Sequence, residues 1–343
     1  MTGFADVWRS GDTRVMAVRL TGMVGRVTGR NHRSAIWWFA LLVLAEWPLL
    51  LNVLLMFIAG DLAVNDTASL AWMGGLGIVD AVMLVAATTA WQFVSNRTDL
   101  IEELVADPVD RLAIGQWLRR RLALKSQIVV PMVATILSGA FLLLVERDLV
   151  RLMQVGLASY LVVCWTSFIG GNVVYWLWTG TGLPKRICVS PSVRLRWHDP
   201  GGTPGLRVLA DGCALSAVLL LVGTVVISVL TFLLPQTYEI KAISVIFDIF
   251  FALCVASAVR VGVLPYVWIW RMSVDHRRTA LAVISAQIGD QVPQRLTAQQ
   301  QEWIEVYSSV ANMSPLPFTT NAVIQYGAIF TGAIIAYFVG QFK

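Results

Sequence analysis

Charge is scarce in this chain: only 14% of its 343 residues are Asp, Glu, Lys or Arg, 57% are hydrophobic, and the mean hydropathy is +0.69. Soluble domains carry about 25% charged residues, so an ordinary water-soluble globule is excluded. Cysteine is equally sparse. Cys164, Cys188, Cys213 and Cys254 show no CxxC or Cys/His spacing, which excludes a disulfide framework and a zinc site. His32 and His276 are isolated beside arginines, and His198 sits in RWHDPGGTPGLR with Asp199, Gly201, Gly202 and Gly205. That stretch lacks the GK[ST] ending of a P-loop and the strand context of a dinucleotide fingerprint, so it reads as a turn leading into the next apolar run. No nucleophile, base and oxyanion set is visible, so no enzyme activity, catalytic residue or cofactor is expected. The remaining enzymatic alternative is lipid chemistry at His198 and Asp199.

What the chain has instead is apolar length. Seven runs, near 35–59, 69–94, 127–145, 152–178, 209–234, 240–264 and 318–341, each approach or exceed the ~20 residues that cross a bilayer as a helix. The expected fold is an all-α, polytopic membrane protein with seven transmembrane helices. Its segments are a leader at 1–34, a six-helix bundle with loops at 35–269, a cytoplasmic helical segment at 270–317 and a seventh helix at 318–343. Of the 26 Lys and Arg, 21 fall before the first run or in the links after the second, fourth and sixth. The positive-inside rule then puts the N terminus in the cytoplasm and the C terminus outside. The net charge of +5 is thus a topology signal, and nucleic acid is not an expected partner. The leader alternates Val15, Met16, Leu20, Met23, Val24 and Val27 with arginines at helical spacing, the pattern of an amphipathic helix on the inner leaflet. Arg-rich, Lys-poor usage fits a bacterial plasma membrane.

Ionisable groups at bilayer depth are expensive, and three acids qualify: Glu46 in LAEWPLLL, Asp80 in GIVDAVM and Asp248 in IFDIFF. They are candidates for a pocket that takes a cation, a proton or a cationic ligand, or else for carboxyls that clamp two helices. Gly74, Gly75 and Gly77, Gly170, Gly171 and Asn172, and Pro48, Pro131 and Pro265 mark close helix contacts or breaks. In the link 270–317, Val274, Leu281, Ile284 and Ile288 form one apolar seam. Thr297 and Gln300 form a capping box for a second helix, with Trp303, Tyr307 and Val310 as its stripe. These two helices pack on each other or on neighbouring subunits. The last run carries Thr320, Asn321, Ile324, Gln325, Ala328, Thr331, Gly332 and Ile335 on one arc of about 140°, suited to lining a water-filled path or to packing against polar neighbours.

The end of the chain, PLPFTTNAVIQYGAIFTGAIIAYFVGQF, places Tyr337 before Gln341 and Phe342. It resembles the last-span signature of the seven-transmembrane ion channels typified by insect odorant and gustatory receptors and their prokaryotic relatives. The gap after Tyr337 is shorter than in the gustatory members, and no Thr precedes it. The resemblance implies a homotetramer with the seventh helices around a central pore and the cytoplasmic helices joined as an anchor. It further implies a small-molecule ligand or inorganic cations as partners. Pore-lining candidates are then Asn321, Gln325, Thr331, Ile335, Phe338 and Gln341, and pocket candidates are Glu46, Asp80 and Asp248. The leading expectation is a cation-permeable channel, with or without a ligand gate. A proton- or cation-coupled transporter using the intramembrane acids and a non-conducting membrane sensor are the alternatives.

Overall fold

A computed structural model of the chain describes residues 4–9, 14–31, 34–59, 67–153, 157–233, 241–288 and 297–313, together with Gly327 and Thr331. Among the described residues the protein is all-helical. In chain order the helices are α1 (Phe4–Arg9), α2 (Met16–Thr28), α3 (Ala35–Ala45), α4 (Trp47–Ala59), α5 (Thr67–Ser95), α6 (Thr98–Glu102), α7 (Pro108–Arg121), α8 (Leu124–Met153), α9 (Leu157–Val189), α10 (Pro204–Leu233), α11 (Lys241–Ile288) and α12 (Ala298–Asn312). One isolated antiparallel bridge, Val105 with Val193, is the extent of β structure there.

Three of these helices are long and apolar enough to cross a membrane, within Met73–Ser95, Leu161–Val189 and Pro204–Leu221. A fourth crossing is added if α7 and the first part of α8, bent by 44° at their junction, are taken as one. The apolar run 35–59, expected as one span, is broken at Glu46. Pro48 sits at the second position of α4 and has no N–H to give to the Leu44 carbonyl, and its ring disfavours helical backbone at Trp47. Glu46 therefore ends α3 at φ −95°, ψ 4°, its N–H still bonded to Leu42 O at 2.8 Å, and α4 begins at Trp47.

Helix α5 lies at the centre, packed against α2, α3, α9 and α10, while α8 lies on α9 and α10 on α11. Met73, Gly77, Asp80, Leu84, Ala87 and Trp91 recur on α5 at three- and four-residue steps, so one face of the helix is buried from Met73 onward. Facing it, Ile169, Val173 and Trp176 do the same on α9. At the Arg-rich end the leader is built into the bundle. Thr21 of α2 meets Thr88 of α5 at 3.1 Å, and the first turn of α2 donates from Met16 N to Gln127 Oε1 at 2.7 Å. Trp8 of α1 stacks on Trp91 at 4.6 Å between ring centres and 11° between planes.

The same end is closed by α6, α7 and the loop 190–203. Arg194 N donates to Leu104 O (2.7 Å) and Ala106 N to Ser192 O (2.8 Å). The Asp110 carboxylate accepts from both Ser190 (2.6 Å) and Ser192 (2.5 Å), and these bonds hold its pKa below the usual carboxylate value. RWHDPGGTPGLR is the expected turn: Asp199 Oδ1 accepts from Gly202 N at 2.8 Å, so that carboxylate shapes backbone.

The capping box of α12 is formed, with Gln300 N donating to Thr297 Oγ1 (3.2 Å) and Thr297 N to Gln300 Oε1 (3.0 Å). Helix α12 folds back on α11 of its own chain. Ile284 and Val310 are buried between them, and Arg277 Nη1 donates to the carbonyl of Met313 at 2.7 Å, closing the end of α12. One detail of the expected stripe changes. Trp303, Val306 and Val310 turn inward, whereas Tyr307 is exposed, because the α11 contact centres one residue earlier than the aromatic pattern suggested.

Candidate functional site

The sequence singled out three intramembrane acids, and two of them meet. Gly77 and Asp80 share a face of α5 one turn apart. The Glu46 carboxyl, delivered by the break between α3 and α4, lies directly over Gly77, in the space that any β-carbon there would occupy. A glycine is required at this position for the approach. One turn earlier Gly74 faces Leu49 of α4 at 3.8 Å, so the two glycines form the seat on which the broken helix rests. With Gly77 and Asp80 one turn apart on that face, the Glu46 carboxyl over Gly77 lies within about a helical turn of Asp80.

Asp80 is 1% exposed. Thr166 of α9 donates to its Oδ2 at 3.0 Å, but the buried Oδ1 has no hydrogen-bond partner. Beside Thr166, the indole of Trp165 makes an edge contact with Trp47 at 5.6 Å and stacks on Phe168 at 6.0 Å. Its buried Nε1 also lacks a partner. The site therefore holds two carboxyls and a hydroxyl drawn from the α3–α4 break, α5 and α9, with the Trp165 indole next along α9. Among the described residues no basic side chain pairs with either acid.

Two carboxylates side by side in a low-dielectric interior repel strongly, and each loses its hydration on burial. Protonating one or both carboxyls, or placing a cation between them, would relieve that cost. Among the described residues no three His, Cys, Asp or Glu side chains converge.

Neither Thr166 nor Trp165 stood out in the sequence; both matter only through what they touch. Gln127 was also missed. Fully buried, it accepts from Met16 N, donates through Nε2 to Leu122 O (2.6 Å) and Arg14 O (3.1 Å), and its own carbonyl accepts from Asn172 Nδ2 at 3.0 Å. It ties the leader to α8 and α9. A glutamine opening the apolar run at 127 was the available signal. Of the other candidates, Asp248 lies on α11, and its side chain is outside the described residues. Asn321, Gln325, Ile335, Phe338 and Gln341 are outside them as well, while Thr331 is helical and exposed.

Compared with family models, curated proteins and solved structures, the chain finds no match in any of the three, so the reading of its function rests on this geometry.

Proposed function

We propose that the protein is a multi-pass transporter of a bacterial plasma membrane that couples solute movement to a proton or small cation bound at Glu46 and Asp80. In this reading the chain crosses the membrane seven times, with its N terminus inside and its C terminus outside. The observation that carries it is a carboxyl at bilayer depth that is buried, half-satisfied and paired with a second acid across a broken helix. Most buried polar atoms find a partner, and ionisable groups at bilayer depth mark ion pathways, so an unpartnered carboxylate oxygen near a second acid supports a mobile-ion site.

The test is ion flux in proteoliposomes that enclose a pH-sensitive dye. Wild-type protein should dissipate an imposed pH gradient in a cation-dependent way, and Glu46→Gln or Asp80→Asn should abolish this while leaving the protein monodisperse. Undiminished flux in both variants would remove the pair from the mechanism.

A homotetrameric cation channel with the last apolar segment around its pore is the second reading. It draws on the continuity of α11, which carries the sixth apolar run into the α11–α12 arm without interruption, and on exposed Val283, Ile304 and Tyr307 of that arm, which neighbouring copies would cover. It predicts a tetrameric native mass and single-channel currents that survive neutralisation of Glu46 and Asp80 but change with Gln325, Thr331 and Ile335. A monomer would end it.

A further inference from the structure

The transport reading leaves the coupling ion open, and the atoms at the site narrow it. The available donors are hard oxygens: the Glu46 carboxyl, the unpartnered Asp80 Oδ1 and the Thr166 hydroxyl, which spends its proton on Asp80 Oδ2 and keeps lone pairs free. No thiol or imidazole joins them among the described residues, which disfavours the softer transition metals. Pro48 also alters the backbone beside Glu46. By withholding an N–H from the Leu44 carbonyl, it leaves a backbone oxygen without its helical partner at the break that delivers Glu46.

Coordination decides between one and two positive charges. Calcium calls for roughly six to eight oxygens and magnesium retains several waters; this site offers few oxygens and Asp80 has almost no exposure to water. A monovalent ion gives up its water far more readily. Two carboxyls holding two protons are neutral. The same pair holding one proton and one monovalent cation is also neutral. Both states are therefore compatible with bilayer depth, whereas the pair with a single positive charge is not.

Resting on the transport reading above, we infer that Glu46 and Asp80, with Thr166, form a sodium-class cation site that exchanges one cation for one proton. In the exchange one carboxyl O–H bond breaks, its proton leaves to water, and the cation takes its place against the carboxylate oxygens; the second carboxyl keeps its proton and nothing is oxidised or reduced.

The experiment is equilibrium binding of radioactive sodium to the full chain in nanodiscs, between about pH 5 and 9, with choline and calcium as competitors. The expected result is saturable binding of one ion per chain, weakened about tenfold for each unit the pH is lowered over the competing range, as one-proton linkage requires. Neither choline nor calcium should displace it. Glu46→Gln should abolish binding. Thr166→Val, which removes a hydroxyl at nearly constant volume, should weaken it while leaving the elution profile unchanged.

Sodium binding that is absent, or indifferent to pH, overturns the inference. So does displacement by choline, which would indicate an organic cation, or by calcium. If sodium binding is absent but proton flux persists and is lost in Glu46→Gln, the transport reading survives with the proton alone. If both are absent, the two fall together.

Discussion

Replacing Gly77 by alanine separates the site from the scaffold. The added methyl falls where the Glu46 carboxyl now lies. Overpacking costs roughly 1–3 kcal/mol when neighbours are fixed. Here the neighbour is the tip of a flexible side chain, which swings away at about 0.5–1.5 kcal/mol of rotamer strain. Alanine also returns about 1 kcal/mol of helix propensity over glycine. These contributions nearly cancel, so thermal stability in detergent should stay within about 1 kcal/mol of wild type. Function should not. A carboxylate moved off its ion forfeits a charge-assisted contact of about 1.5–3 kcal/mol, or roughly 10- to 150-fold in apparent ion affinity. The control is Gly205→Ala, where a methyl would run into the backbone carbonyl of Leu100, which has no rotamer to change. That variant should lose stability outright. The assay is cation-driven pH change in proteoliposomes, with thermal unfolding alongside. If Gly77→Ala keeps wild-type ion dependence, the seat of Glu46 on α5 is irrelevant to activity and the proposed site is wrong.

Three further outcomes follow from contacts elsewhere. Gln127→Leu removes a buried side chain that serves Met16 N, Arg14 O and Leu122 O, and should destabilise the protein by at least about 2 kcal/mol, with hydrogen exchange quickening first at the start of α2. Asp110 has a folded-state pKa depressed by the Ser190 and Ser192 hydroxyls, so its anchoring is complete above the unfolded aspartate value and is lost as pH falls through the lower folded one. The loop 190–203 should loosen to limited proteolysis only below about pH 4, and Asp110→Asn should remove that pH dependence. Trp8→Ala deletes a stacked partner of Trp91 worth about 0.5–1.5 kcal/mol beyond its buried area, and should raise hydrogen exchange across α1 with little change at α9.

Much of the helical framework was legible because hydropathy is summed over many residues. The runs near 69–94, 152–178 and 209–234 correspond to α5, α9 and α10, whose ends extend further than the apolar runs because polar residues such as Arg186 and Arg207 continue a helix without breaking it. The interruption at Glu46 escaped for the same reason. Averaging over LAEWPLLL hides one charged residue and one proline, although the pair Glu46 and Pro48 states both the break and its purpose. Asp80 stood out as a charge in an apolar setting. Thr166, Trp165 and Gln127 did not, since a hydroxyl, an indole or an amide acquires meaning only from a partner distant in sequence. The amphipathic leader could be recognised as such, but what its apolar side rests on depended on Thr88 and Gln127, which no periodicity reveals.

Helix α11 has mechanical implications. Its 48 residues amount to about 70 Å at 1.5 Å per residue, against a hydrocarbon core of about 30 Å. If its first half crosses the membrane, as the seven-span reading has it, the rest is a rod standing clear of the bilayer, with α12 strapped to it through Arg277. Pro265, near the midpoint, removes the hydrogen bond to the Val261 carbonyl and supplies a compliant point where rod and membrane segment join. A tilt of some 10° there would sweep the far end through about 6 Å, an amplitude comparable to one helical turn. The length of the rod beyond Pro265 thus turns a small change of angle at the bend into a displacement of several ångströms at the α12 end.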